Sequence, residues 1–313
     1  MVNADISSSE PAVIRDTRGY SWVVVACAAV LGLFAGFTAG RSGAGGAPGA
    51  QAIEGPHTLQ AWLARAATAG EAHPSPELRR ELAGSLAGDP GLRRELIEHY
   101  SREARRTQRV VIKDMLVATR ASDLVAAGID LIKRELPLAR GAGFELLGAL
   151  EPNAEALALA RRAIANESDA TALAGALMAL QPLAPPAQDD ARAILPRLVE
   201  LTRHEDALVR AHAVQRIADW DKANERATEV VLYALSDEDR LVRQAAVGAV
   251  MLGQLRSDAV KLALLRVIAD PTEDFTARGA SLHALRQFSL TRDEQSQYLA
   301  IRGEFERSAG IQH

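Results

Sequence analysis

The sequence predicts an all-α solenoid of stacked helical pairs, preceded by a single transmembrane helix. Three observations predict it. The first is an echo through the C-terminal two-thirds, anchored at Leu138-Ala139-Arg140, Thr171-Ala172-Leu173, Leu208-Val209-Arg210, Leu241-Val242-Arg243 and Thr276-Ala277-Arg278. Its steps are 33, 37, 33 and 35 residues, a period at which each helical pair buries its apolar face only against its neighbours. The second is composition: Ala and Leu dominate and aromatics are 4%, which favours helix. The third is Tyr20 to Gly40, a run without a single charge. At about 1.5 Å per residue, that run covers a bilayer core of roughly 30 Å.

Taken in order, residues 1–19 read as a polar tail. Residues 20–40 read as the membrane helix. Arg15 and Arg18 precede it and Arg41 follows, a bias that places the N-terminus in the cytoplasm and the rest beyond the membrane. A cleaved signal peptide is the rival reading, but the apolar run is long for one. The four-residue spacing of Ala28, Gly32, Gly36 and Gly40 makes a flat stripe on which a second membrane helix can pack closely, and a homodimer is expected through it. Residues 41–56 form a Gly/Ala/Pro linker.

Residues 57–120 read as an N-terminal helical capping region. Two segments there share a Pro followed by a Leu-Arg-Arg-Glu-Leu core, with Ser75 and Asp89 as N-caps and Pro76 and Pro90 at the first helical position. The repeats proper run over 121–290. Each has an outer helix such as Ala227 to Leu235, a turn rich in Asp and Glu, and an inner helix such as Leu241 to Leu252. The longest step holds Pro182, Pro185 and Pro186, a short insertion between helices. Residues 291–313 supply a C-terminal helix and tail.

In these residues the chain resembles the HEAT-repeat family. The motif Asp-x-x-x-x-Val-Arg followed by small residues is complete from Asp237 to Arg243. The resemblance implies that such Asp and Arg side chains bond between successive repeats as a ladder, with Arg140, Arg210, Asp237, Arg243 and Arg278 as its members here. His204 and Thr272 stand where the acid should precede Arg210 and Arg278, and Leu173 replaces one Arg, so the ladder is expected to be incomplete. Family membership of this kind implies a scaffold more than a reaction.

Candidate binding residues are the non-repeating side chains of the inner helices: Gln215, Gln244, His283 and Arg286. That face is mostly small and neutral and suits a peptide or helix better than a polyanion. Arg102, Arg105, Arg106, Arg109 and Lys113 share helical spacing and read as a basic stripe on one helix, able to meet an acidic protein or anionic headgroups. Net charge is −4 and no aromatics interleave with the stripe, so nucleic acid is not expected as a partner.

No catalytic triad, Walker loop or dinucleotide fingerprint is present. Hydroxylases with similar repeats bind metal through several His-Glu pairs, whereas this chain has one, His204-Glu205. Cys27 is the only cysteine, so 41–313 can form no disulfide and no thiolate metal site. No cofactor or metal is expected. The leading expectation is a scaffold that binds a partner protein beyond the inner membrane of a bacterium. The bacterial source is inferred from 32 Arg against 4 Lys. A helical-repeat enzyme or cofactor-handling module, and a cytoplasm-facing scaffold, are the alternatives.

Gly36→Leu is expected to abolish pairing of the isolated membrane segment, because a bulky side chain on the stripe separates the two backbones. Phe37→Leu, off the stripe, is expected to leave pairing unchanged. Energy transfer between labelled segments in a bilayer reads both, and equal transfer for the wild type and Gly36→Leu ends the idea.

Overall fold

The computed structural model describes residues 83–183, 186, 188–223 and 226–308. The expected membrane segment, its small-residue stripe and the linker lie outside the described residues. Among the described residues no helix is long and apolar enough to cross a membrane, and the regular structure is all α-helical.

After a helical stretch over 83–88 come α1 (Pro90–Tyr100) and α2 (Arg106–Ala118). Asp89 caps α1, accepting from the backbone N–H of Gly91 and Leu92, with Pro90 at the first position. Five pairs follow: α3 (Leu124–Ile132) with α4 (Pro137–Ala149), α5 (Ala154–Asn166) with α6 (Ala170–Ala179), α7 (Gln188–Leu201) with α8 (Ala207–Trp220), α9 (Ala227–Ala234) with α10 (Arg240–Leu252), and α11 (Asp258–Ala269) with α12 (Phe275–Leu285). Helices α4, α6, α8, α10 and α12 stack one on the next as the inner layer, and the first helix of each pair lies in the outer layer. Helix α13 (Arg292–Ser308) closes the end. There Phe275 and Phe305 stack at 4.2 Å between ring centroids, and Gly279 leaves room that a Cβ would take from the Phe305 ring.

The core runs the length of the stack. One cluster joins α1 to α4 through Tyr100, Ile112, Leu116, Leu131 and Leu146. A second runs from Phe144 to Tyr298. Helix α4 therefore shares its faces between the two. It also approaches α6 backbone to backbone: a Cβ on Gly175 would lie 2.6 Å from the carbonyl oxygen of Gly141, and one on Gly148 would lie 2.8 Å from that of Met178. Only glycine permits so close an approach.

Four inner helices begin alike. Asp169, Asp206, Asp239 and Asp274 cap α6, α8, α10 and α12 with their side chains. The residue four positions on is Leu173, Arg210, Arg243 and Arg278 in turn, one helical turn past the cap. Its backbone N–H donates to the cap carbonyl in each case.

The ladder arginines then reach outward in two directions. Arg210 donates from Nε and Nη2 to both carboxylate oxygens of Asp237, at 3.0 and 2.9 Å, and from Nη1 to the carbonyls of His204 and Glu205, at 3.0 and 2.9 Å. Arg243 does the same toward Glu273, at 2.6 and 2.9 Å, and toward the carbonyls of Asp237 and Glu238. Arg140 pairs with Glu167, at 2.8 and 3.1 Å, and with the carbonyls of Arg134 and Glu135. Each guanidinium thus ties the turn of its own repeat to the acid of the next in a bidentate geometry. Burial raises the carboxyl pKa of Glu167, but Arg140 and the N–H groups of Asp169 and Ser168 lower it further, to a net value below the ordinary range.

As the ladder implies, the Asp237 carboxylate pairs with Arg210 of the preceding repeat, while its carbonyl serves Arg243. The rung that Thr272 leaves open is filled by Glu273, one residue on. Arg278, in the last pair, has no following repeat turn and donates to the carbonyl of Ile268, 3.3 Å away.

One rung is missing, and both of its members are missing together. Leu173 stands where the Arg of α6 would be, and His204 stands where its acid would be in the next turn. Removing both partners leaves no orphaned charge. Other contacts hold this junction. Trp220 Nε1 donates to the carbonyl of Leu180 at 3.0 Å, Arg161 lies over the Trp220 ring at 5.0 Å, and Arg197 donates to the carbonyl of Ile164.

The glycine contacts and the ladder can each be tested by stability. Gly175→Ala is expected to cost about 1–3 kcal/mol by forcing α4 and α6 apart. The exposed helical Gly84, with nothing near its Cβ position, is expected to gain about 0.5–1 kcal/mol on becoming Ala. Denaturant midpoints distinguish the two, and equal shifts would refute the close approach. For the ladder, Arg243→Ala is expected to cost about 1–3 kcal/mol by leaving the Glu273 carboxylate and two carbonyls without their donor. Leu173→Arg together with His204→Asp is expected to be more stable than the sum of the two single changes, by about 0.5–3 kcal/mol. A double-mutant cycle that closes without coupling rejects the account of the missing rung.

Candidate interaction surface

The basic residues expected on one helix are divided between two elements. Helix α1 ends at Tyr100, and Ser101 caps it through its backbone N–H. Glu103 then accepts from the backbone N–H of Arg105 at 2.8 Å and from its guanidinium at 3.0 Å, which turns the chain into α2. The Arg105 bond holds the Glu103 carboxyl below its ordinary pKa despite burial. Arg102 is left exposed in the turn beside Glu98. On α2, Arg109 and Lys113 are buried and Arg106 is exposed. The Arg109 guanidinium bonds the Glu145 carboxylate on α4, which also accepts from Tyr100 Oη at 3.1 Å. Two of its five members, Arg109 and Lys113, are therefore interior structure, and the exposed three are divided between the turn and the start of α2.

The four residues expected to meet a partner also separate. Gln215 is 3% exposed and Gln244 is 8% exposed. Gln244 Nε2 donates to Asp274 Oδ1 at 2.6 Å, a second tie between α10 and α12 beside the Arg243 rung. Both lie on inner helices, but close stacking of the inner layer covers them and leaves neither open to a partner. His283 is half-buried, and burial with the neighbouring Arg286 lowers its pKa. Arg286 is exposed.

His204 is committed to the turn. Its Nδ1 accepts from the backbone N–H of Asp206 at 3.0 Å, and its carbonyl accepts from Arg210. Among the described residues no three His, Cys, Asp or Glu side chains gather closely enough to hold a metal.

The open surface lies on the outer layer, which the sequence reading did not single out. Two furrows flank α9. One, about 900 Å³, runs between the turn after α7 and α9, over Thr202, Tyr233 and the Arg210–Asp237 rung. The other, about 690 Å³, runs between α9 and α11, over Leu235, Ala259, Leu262 and the Arg243–Glu273 rung. Leu232 and Ser236 border both. The furrows recur because the rungs recur. The apolar side chains at their rims are exposed, Tyr233 by 64% and Leu262 by 47%. Large exposed apolar side chains grouped along grooves mark interaction surfaces more often than isolated ones do. The signal in the sequence was Leu232-Tyr233 beside a strongly periodic buried face, but the period alone does not say which outer residues the next repeat covers.

Comparison with known proteins agrees with this architecture. A family model described as HEAT repeats matches residues 195–286, from within α7 to the end of α12. No curated protein matches the chain. The X-ray structure of YibA from Escherichia coli is similar in fold, with a TM-score of 0.51 at 14% identity, over 74% of this chain and 80% of that one. At that identity the likeness concerns fold alone. The described chain is an all-α array carrying HEAT-like repeats.

Proposed function

We propose that the repeats are a scaffold that binds a partner protein along the outer-layer furrows, and that residues 20–40 carry them on the far face of a bacterial inner membrane. The observation that carries the binding half is the pair of adjacent furrows sharing α9, with Tyr233 and Leu262 exposed at their rims. A partner helix or extended segment with apolar side chains one repeat apart fits them, and the ladder carboxylates and guanidiniums beneath offer polar ends for its orientation. The membrane half rests on the uncharged run and on Arg15 and Arg18 against Arg41. An enzyme reading gains nothing from His204-Glu205, whose histidine is spent on the turn.

One experiment addresses both halves. Cys27 lies within the apolar run, so Tyr233→Cys adds a single reactive thiol to the repeats. A membrane-impermeant thiol-to-amine crosslinker is applied to intact spheroplasts. Tyr233→Cys is expected to react from outside and to give one discrete adduct, which Leu262→Glu weakens. Glu155→Cys, exposed on α5 away from the furrows, is expected to react without that adduct. Reaction only after lysis rejects the topology. Reaction at both sites with no adduct specific to Tyr233→Cys rejects the furrows as the binding surface.

A further inference from the structure

The ladder begins before the repeats and is left open at its far end. Arg93 stands four residues after the Asp89 cap, donates from Nε and Nη2 to the Asp123 carboxylate at 3.0 and 2.7 Å, and reaches the Leu86 carbonyl from Nη1. Arg93, Arg140, Arg210 and Arg243 thus each engage both oxygens of a carboxylate 27 or 30 residues further on. Arg278 does not. Phe305 and Ser308 stand at the corresponding positions after it. Among the described residues its guanidinium bonds the Ile268 carbonyl and forms no ion pair. The Asp270 carboxyl lies below its ordinary pKa through its bonds from Thr272 first, and through Arg243 and Arg278 only at a distance. Residues 309–313, Ala-Gly-Ile-Gln-His, bring no acidic side chain.

The rest of that end face is open as well. One and eight residues after a ladder arginine, the inner helix lies against the repeat that follows. Gly141 lies against Thr171, Gly148 against Met178 and Ala218 against Gly253, and Gln244 bonds Asp274. In the last pair these positions are Gly279 and Arg286. Gly279 meets the Phe305 ring of α13, and Arg286, which caps α12, is exposed. Phe275 stacks on Phe305 and is still 53% exposed. Of the acids flanking Phe305, Glu306 is paired with Arg302 and Glu304 is exposed on α13. Helix α13 takes the place of the outer helix of a further pair, and among the described residues no inner helix follows it.

We infer that the C-terminal end face, with Arg278, Arg286 and the Phe275–Phe305 stack, is a docking surface for a partner protein that presents a helix preceded by an acidic turn. The turn carboxylate takes the Arg278 guanidinium, as Asp123, Glu167, Asp237 and Glu273 take the earlier ones, and apolar side chains of the helix cover the aromatic stack. The charges are complementary, since a guanidinium fork matches the two oxygens of a carboxylate. The aromatic pair supplies the apolar anchor that such an interface needs at its centre. The surface is separate from the furrows beside α9 and does not depend on binding there.

The test uses the purified full chain in mild detergent and a labelled synthetic peptide of residues 236–252 of this chain, locked as a helix over 240–252. This is the acidic turn and inner helix that take Arg210 within the stack. Fluorescence anisotropy is expected to show saturable binding. Arg278→Gln in the chain, or Asp237→Asn in the peptide, is expected to weaken it about tenfold, as for loss of a charge-assisted bond. The two changes together are expected to weaken it no further than either alone, which a general loss of charge attraction would not produce. The peptide change decides the matter if Arg278→Gln does not fold. No saturable binding, or equal binding to the wild type and Arg278→Gln, overturns the surface. Sedimentation of the chain alone reads the other occupant: a dimer that Arg278→Gln dissolves assigns the face to a second copy and overturns the partner reading.

Discussion

The arrangement of this molecule depends on one side-chain device, the arginine placed one turn after an aspartate cap. The cap fixes the start of the inner helix by satisfying one or two of its free N–H groups. The arginine then leaves the helix at a set height and orientation. Its planar donors face two ways, toward the carbonyls of its own turn and toward the carboxylate of the next repeat. Lysine could not do this, because a point charge has no second edge to offer. The turn carbonyls of one repeat and the acid of its neighbour are thus satisfied by a single residue, and the spacing between repeats follows from its reach.

Where the device is absent the packing differs. At the junction of α6 and α8 the arginine and its acid are lost together, and an indole N–H bonding a carbonyl takes over the tie between repeats. At the junction of α4 and α6 the rung is present and glycines bring the backbones into contact as well. In an array whose stability sums repeat terms and nearest-neighbour interfaces, unequal junctions give unequal local stability. The stack is therefore uniform in topology and uneven in mechanics.

The same device sets what is left for binding. Polar side chains of the inner layer are used within the stack, as Glu145 is on Arg109 and Gln244 is on Asp274. On either side of α9 grooves remain in the outer layer, bordered by Leu232, Tyr233 and Leu262 and closed below by the rungs. Exposed apolar surface and satisfied charge lie side by side, a combination found at the core and rim of protein interfaces.

The sequence by itself determined the helical-repeat class of fold, the Asp89 cap and the period that sets Arg140, Arg210 and Arg243 at matching places in their repeats. All of these are local or periodic, written in spacings of four residues within a helix and about 35 between repeats. Only the tertiary structure decided which acid each arginine takes, because Asp237, Glu167 and Glu273 are chosen by distance across a junction and not by position in a motif. It decided that Gln215 and Gln244 are covered, since a helical period says which way a side chain points but not how near the next helix stands. It divided the basic residues of 102–113 between a turn and a buried helix face, because the Glu103–Arg105 bonds that reverse the chain leave no mark in periodicity. The furrows belong to the same class: they are spaces between elements, and a one-dimensional pattern records elements without the distances that separate them.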